Sequence, residues 1–496
     1  MKKEPFLSPF KITFLLCIIF MPLRHLHAQN EVTINWNQTL RLSKTTPTLQ
    51  VVVNPKLERG ANIHDGSFNA LKNLGADYVR FVPWFPYPHM AVAELKPPTD
   101  KETFWDFSQI DPIVEDFMNA TQGHSVIMNF STIPAWMFKN NKSVVVPADA
   151  NQVSWSYSEG TGKGLRDSTM KELTDYFVRL ISWYTKGGFT DELGKYHPSA
   201  YHYKFQYWEV LNEPDFEHNN PQLYTKMYDA IVTAMKKVSP QTKFIGLALG
   251  SSNDPEWFEY FLNPANHKKG VPIDGISYHF YGLKDNAQQD IGTYQYSFFN
   301  QAEGFLNKVR YIEDIRERLA PETFTTLDEI GNILSRDGDE PIPQAYWNLS
   351  GAMFAYIYLE LTKIGIDAAG ESQLVGYPTQ FPSVSMMNWE NGKPNSRFWV
   401  LKLLRDNFGS GDTLVSTHSN IPGVVTQGFI TKEGNKLLLI NKEQKEVQFQ
   451  LPKNANGASV SYVDATTGEN PPAKKKLTGN TLKLRGFSVA VIDFGK

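Results

Sequence analysis

From residue 49 onward, short apolar, β-branched runs alternate with longer stretches in which apolar positions recur every three or four residues. Leu49–Asn54 (LQVVVN) reads as a strand, and Phe68, Leu71 and Leu74 share one face of a helix behind it. Further strands are predicted at Tyr78–Val82, Ser125–Phe130, Phe205–Leu211, Lys243–Leu249, Gly275–His279, Phe324–Asp328 and Ile366–Gly370. Helices are predicted between or after them, among them Ser108–Thr121, the amphipathic Met170–Lys186, Leu223–Val238, Phe298–Leu319, Ala345–Lys363 and Arg397–Asn407. About eight strand–helix units over residues 49–409 are the repeat of a (β/α)8 TIM barrel, an α/β fold. A doubly wound open sheet is the rival, but Asn54-Pro55-Lys56 stands where its glycine-rich phosphate loop belongs.

Beyond residue 409 the helical period disappears. Residues 410–496 hold short strands joined by Gly, Asn and Lys turns, the pattern of an all-β sandwich. Within residues 29–48, Val32–Leu42 alternates polar and apolar positions, as a strand returning to join that sandwich would.

Composition adds the setting. The chain has 496 residues, 41% hydrophobic and 20% charged, ordinary for a large core with an accessory domain. Residues 1–28 read as a signal peptide: Lys2, Lys3 and Lys11 precede the apolar run Ile12–Leu23, and cleavage is expected after Ala28. That run is short for a bilayer, so no membrane span is expected after its removal, and the mature protein would be secreted or periplasmic. The single cysteine, Cys17, lies inside it. Losing Lys2, Lys3, Lys11 and Arg24 with Glu4 turns the formal −3 into about −6, which leaves no basic field for nucleic acid. The 11 histidines show neither HExxH spacing nor cysteine partners, so no metal and no cofactor is expected.

In a parallel barrel the working groups sit at the C-terminal ends of the strands. Glu213 follows the fourth predicted strand, in YWEVLNEPDF, and Glu329 the seventh, in FTTLDEIGN. Two carboxyls facing each other across a mouth suit glycosidic bond cleavage, one protonating the leaving oxygen, the other attacking or activating water. Asp328 competes with Glu329, because neighbours on a regular strand point to opposite faces.

The motifs Trp208-Glu209-Val210, Asn212-Glu213-Pro214-Asp215, Ser277-Tyr278-His279-Phe280-Tyr281 and Asp328-Glu329, in this order, resemble those of clan A glycoside hydrolases. The chain is most similar to family 39, which includes β-xylosidases and α-L-iduronidases. The resemblance implies that Glu213 is the acid/base, Glu329 the nucleophile of a retaining double displacement, and Asn212 a partner of the sugar 2-hydroxyl. Leu211 and the strand Tyr78-Val79-Arg80-Phe81-Val82 depart from the family pattern and leave the substrate open.

Around the two glutamates, Arg80 ends the second strand, to orient the nucleophile or to form a structural ion pair. Asn129 ends the third. Tyr278 and His279 end the sixth, Tyr278 placed to bond the nucleophile and His279 to reach a sugar hydroxyl or the acid/base. Trp84, Trp136 and Trp389 follow strands two, three and eight and either wall a sugar pocket or pack against loops. Glu371 closes strand eight, toward a hydroxyl or a basic substrate group. The long third loop, Lys139–Arg166, with Trp155 and Tyr157, either closes the rim, favouring removal of terminal sugars, or is a packing insertion. An endo-acting glycanase and a catalytically silent carbohydrate-binding barrel are the alternatives, and the oligomeric state is not legible.

Overall fold

The computed structural model describes residues 30–139, 144–155, 164–216, 220–283, 290–334, 342–376 and 381–496. The expected signal segment and Tyr157 lie outside the described residues.

Eight parallel strands close into a barrel: Thr46–Val53, Val79–Pro83, Val126–Met128, Tyr207–Glu209, Lys243–Leu249, Gly275–Leu283, Phe324–Ile333 and Ala368–Glu371. They are called the first to eighth barrel strands below. Their burial on both faces follows from the helices outside and the packed interior, so they read as apolar runs. The helices start where the sequence supplies caps. Asn220 accepts from the Leu223 N–H with Pro221 at the first helical position, and Asp290 accepts from the Thr293 N–H.

Three elements are longer than their sequence pattern suggested. The sixth strand runs four residues past His279, to Leu283, and the helix behind it starts at Ile291 rather than Phe298; the seventh strand also runs past its predicted end, to Ile333, so that Glu329 lies within it. A small hairpin, Gly188–Thr190 with Tyr196–Pro198, also interrupts the alternation.

The C-terminal region is a seven-stranded antiparallel sheet with a two-stranded layer, Val447–Gln450 and Thr481–Leu484. The opening strand Val32–Leu42 pairs antiparallel with Thr413–Ser419 as the edge of the larger sheet. Leu437, Leu439, Ala490 and Ile492 on one sheet face pack with Phe449 and Leu482 of the small layer. Leu438, Ile440, Val489 and Val491 on the other face merge with the barrel core. Strand alternation thus ties this domain to the barrel's outer wall.

Candidate active site

The mouth is built by strand geometry. On the sixth barrel strand Ser277, His279 and Tyr281 share one face, alternating with Tyr278 and Phe280. Ser277 Oγ donates to Glu209, His279 Nδ1 lies 2.9 Å from Glu213 Oε1, and Tyr281 Oη donates to Glu329 Oε2 at 2.6 Å. Tyr278, expected to bond the nucleophile, faces outward. Its ring packs against Phe258 and Phe305, and its buried hydroxyl has no hydrogen-bond partner.

The seventh strand is irregular at the decisive point. Its register slips between Thr326 and Glu329 against the sixth strand, and between Leu327 and Ile330 against the eighth. The slip suspends the regular alternation, so both Asp328 and Glu329 reach the centre, against the expectation that only one would. Glu329 Oε1 accepts from Arg80 at 2.6 Å, while Asp328 lies 3.4 Å from Arg80 and 3.5 Å from His279. Gly370 makes room on the eighth strand, since a Cβ there would stand 3.0 Å from the Asp328 Cα.

Past the fourth strand, Leu211 and Glu213 adopt left-handed backbone conformations, φ +65° and +46°. Side-chain-bearing residues adopt these at a cost of about 1–3 kcal/mol each, retained where the surroundings dictate them. The Glu213 N–H donates to Ala248 O at 2.8 Å, and Asp215 accepts from the Gly250 and Ser251 N–H groups, both at 2.9 Å. These bonds hold the turn that carries Glu213 into the mouth.

Arg80, fully buried, organises the floor. It donates to Glu209 and Glu329, both at 2.6 Å, to Asn212 Oδ1 at 2.5 Å and to Gln50 Oε1 at 2.7 Å. Arg80, expected either beside Glu329 or in a structural ion pair, thus contacts Glu329 and pairs with Glu209 within one buried network. From Gln50 the chain continues: its Nε2 donates to Ser372 Oγ at 2.8 Å, and Ser372 Oγ lies 2.6 Å from Tyr281 Oη. Tyr281 spends its one proton on Glu329, so Ser372 donates to Tyr281, and the ring Arg80–Gln50–Ser372–Tyr281–Glu329 closes with every donor direction fixed. Such a ring locks the Glu329 carboxylate in position and charge.

The two glutamates are driven apart electrostatically. Burial raises the Glu213 pKa, the hydrogen bond and charge of His279 oppose this, and the charges of Glu329 and Asp215 add to it. For Glu329, burial would raise the pKa, but the charges of His279 and Arg80 and the Tyr281 hydrogen bond hold it below its ordinary value. Burial alone would lower His279. The Glu329 charge, the Asp328 carboxylate 3.5 Å from Nε2 and the hydrogen bond to Glu213 lift it well above its usual range. An oxygen of Glu213, a nitrogen of His279 and an oxygen of Glu329 all lie within 4.8 Å of one another. That spacing would also suit a metal ion, but both Glu329 oxygens already accept hydrogen bonds, from Arg80 and Tyr281. The centre is therefore suited to proton transfer and carboxylate attack.

A cavity of about 900 Å³ opens above these groups, with Glu213, His279, Tyr281 and Glu329 in its wall. Trp84 lines it, edge-on to Trp155 at 5.4 Å. Four other expected contacts lie elsewhere. Asn129 donates to Glu209 and Leu211 O, bracing the end of the fourth strand. Trp136 donates to Glu94 O at 2.9 Å and stacks under Arg166, which packs the third loop. Glu371 is fully buried in an ion pair with Arg397 at 2.9 Å, and Trp389 sits under the Lys56 ammonium at 5.2 Å. Gln50 and Ser372 are not singled out by the sequence, and Glu209 and Tyr281 stand in its motifs without a role of their own. Two left a signal: Gln50 and Glu209 are polar residues inside otherwise apolar strand runs.

A closed parallel barrel with two carboxyls, one pKa raised and the other lowered, facing each other at its C-terminal mouth is the arrangement of a glycoside hydrolase. Residues 191–347, which carry the fourth to seventh strands with Glu213, His279, Tyr281 and Glu329, match the family described as Glycosyl hydrolases family 39, and the chain is a glycoside hydrolase. Solved structures share the fold at low identity. The GH51 arabinofuranosidase from Xanthomonas axonopodis pv. citri superposes with a TM-score of 0.64 at 11% identity, covering 94% of this chain and 99% of its own. The GH51 α-L-arabinofuranosidase from Thermotoga petrophila RKU-1 gives 0.60 at 16%, covering 93% and 99%, and the GH30 endoxylanase from Clostridium papyrosolvens C71 gives 0.55 at 13%, covering 94% and 100%. No curated protein matches the sequence.

Proposed function

We propose that the protein is an exported, retaining glycosidase that releases terminal sugars by double displacement. Glu213 protonates the glycosidic oxygen while Glu329 attacks the anomeric carbon, forming a glycosyl–enzyme ester; Glu213, now a carboxylate, then takes a proton from the water that opens the ester. The observation that carries this reading is the spacing: an oxygen of Glu213 and one of Glu329 lie within 4.8 Å, which favours the close pair of a retaining enzyme, about 5–5.5 Å apart, over the about 6.5–9.5 Å of an inverting one. His279 supports the second half-reaction. Once Glu329 is esterified its charge no longer raises Glu213, while the hydrogen bond from His279 still favours the Glu213 carboxylate. Asn212, held by Arg80 beside Glu213, would turn its amide N–H toward the sugar 2-hydroxyl. Export rests on the N-terminal signal pattern.

The test is hydrolysis of aryl β-xyloside, β-glucoside, β-galactoside, α-L-arabinofuranoside and α-L-iduronide by the protein beside Glu213→Gln and Glu329→Gln, with the product anomer followed by NMR. Pentoside substrates belong in the panel because the fold neighbours include arabinofuranosidases and a xylanase. Retained configuration, loss of turnover in Glu329→Gln and azide rescue of Glu213→Ala are expected. An inverted product would overturn the double displacement.

A further inference from the structure

At about 900 Å³ the cavity is too large for one sugar ring, and one lobe of it has a built wall. On the Glu213 side it extends over the loop Gly250-Ser251-Ser252-Asn253 to the helix Ile291–Leu319. That helix presents Asn300, Gly304 and Lys308 to the cavity, four residues apart and so on one stripe, with Phe305 beside them in the wall, while Ala302, Leu306 and Val309 anchor its opposite side in the core. Gly304 sits in the middle of a 29-residue helix, where glycine weakens the helix and no turn needs it. A Cβ added there meets no atom within 4 Å, so the missing side chain leaves open volume in the wall.

The rest of the lobe has the make-up of a sugar subsite, apolar faces with polar edges. Phe216, three residues from the acid and 63% exposed, packs its ring over Gly250, where even a Cβ would stand 2.1 Å away. Leu283, 51% exposed, is clamped by Gln301, which accepts from its N–H at 2.9 Å and donates to its C=O at 2.7 Å. Lys308 donates to the Asn253 side chain, joining helix and loop. Building on the glycosidase reading above, in which Glu213 protonates the leaving oxygen, we infer that this lobe is a leaving-group subsite for a glycan of more than one sugar ring, and that Gly304 is the residue that keeps it open.

The experiment compares kcat/KM of the wild type, Gly304→Ala and Gly304→Leu on the 4-nitrophenyl glycoside turned over best and on the trisaccharide of the same glycone. The subsite predicts that Gly304→Leu lowers kcat/KM on the trisaccharide at least tenfold, changes the aryl glycoside less than twofold, and that Gly304→Ala affects neither beyond twofold. Equal effects of Gly304→Leu on both substrates, no effect on either, or a wild type that turns over aryl glycosides but not the trisaccharide would overturn the subsite while leaving the glycosidase reading intact. A wild type inactive on every glycoside would overturn both. Unfolding midpoints of the three proteins guard the comparison, and a Gly304→Leu protein that fails to fold hands the decision to the wild-type trisaccharide-to-aryl ratio and to Gly304→Met.

Discussion

Replacing Tyr281 by Phe removes one hydroxyl and keeps the ring, which makes it the sharpest probe of the floor beneath Glu329. The lost bond is short, 2.6 Å, and ends on a carboxylate held ionised in a buried site. A hydrogen bond to a charged group contributes about 1.5–3 kcal/mol, so kcat/KM should fall by about 10- to 150-fold if the bond is fully expressed in the transition state. The pH dependence carries a sign as well. Tyr281 helps hold the Glu329 pKa down, so its loss raises that pKa, and the acidic limb of the kcat/KM profile must move to higher pH. Tyr278→Phe is the control: its buried hydroxyl bonds nothing, so activity should stay within twofold and stability should be unchanged or slightly raised. The assay is the full pH–rate profile of both variants on one aryl glycoside. A Tyr281→Phe enzyme with an unshifted acidic limb, or a Tyr278→Phe enzyme that loses activity tenfold, would refute the assignment of the sixth strand's inner face.

Three other outcomes follow from the same structure. Gly304→Ala should stabilise the protein by about 0.5–1 kcal/mol, read as a higher urea midpoint, because it restores helix propensity without a clash. Arg397→Met should cost about 3–5 kcal/mol in the same assay, since it leaves the fully buried Glu371 carboxyl without its cation. Burial, with the charge of Glu192 adding, pushes Glu94 from its ordinary 4.5 up to about 8. Between those values the folded protein holds a proton that the unfolded chain releases, so stability falls as pH rises through that window. Glu94→Gln, which stays neutral, should flatten that decline between pH 5 and 8.

Much of this protein is written in its sequence because it depends on local periodicity. Alternating apolar strands and amphipathic helices leave few ways to bury their faces, and the barrel is the solution that also places Glu213 and Glu329 at one rim. The switch to short strands after residue 409 and the alternation of Val32–Leu42 are likewise local patterns, which the sheet of residues 413–495 and its edge strand realise. What the sequence did not contain was the geometry of strand ends. Tyr278 and Tyr281 are indistinguishable as residue types; only the extension of the sixth strand to Leu283 puts Tyr281 in the His279 face and turns Tyr278 outward. Asp328 and Glu329 share the site through a register slip that needs the bare backbone of Gly370 across the sheet, forty-two residues away in the chain. Glu371 and Trp136 have the chemistry of a sugar site, yet Arg397 and Glu94 claim them. Periodicity is a property of neighbours along the chain, whereas the partner a buried polar group finds is decided by residues tens to hundreds of positions apart, and only the closed barrel brings those together.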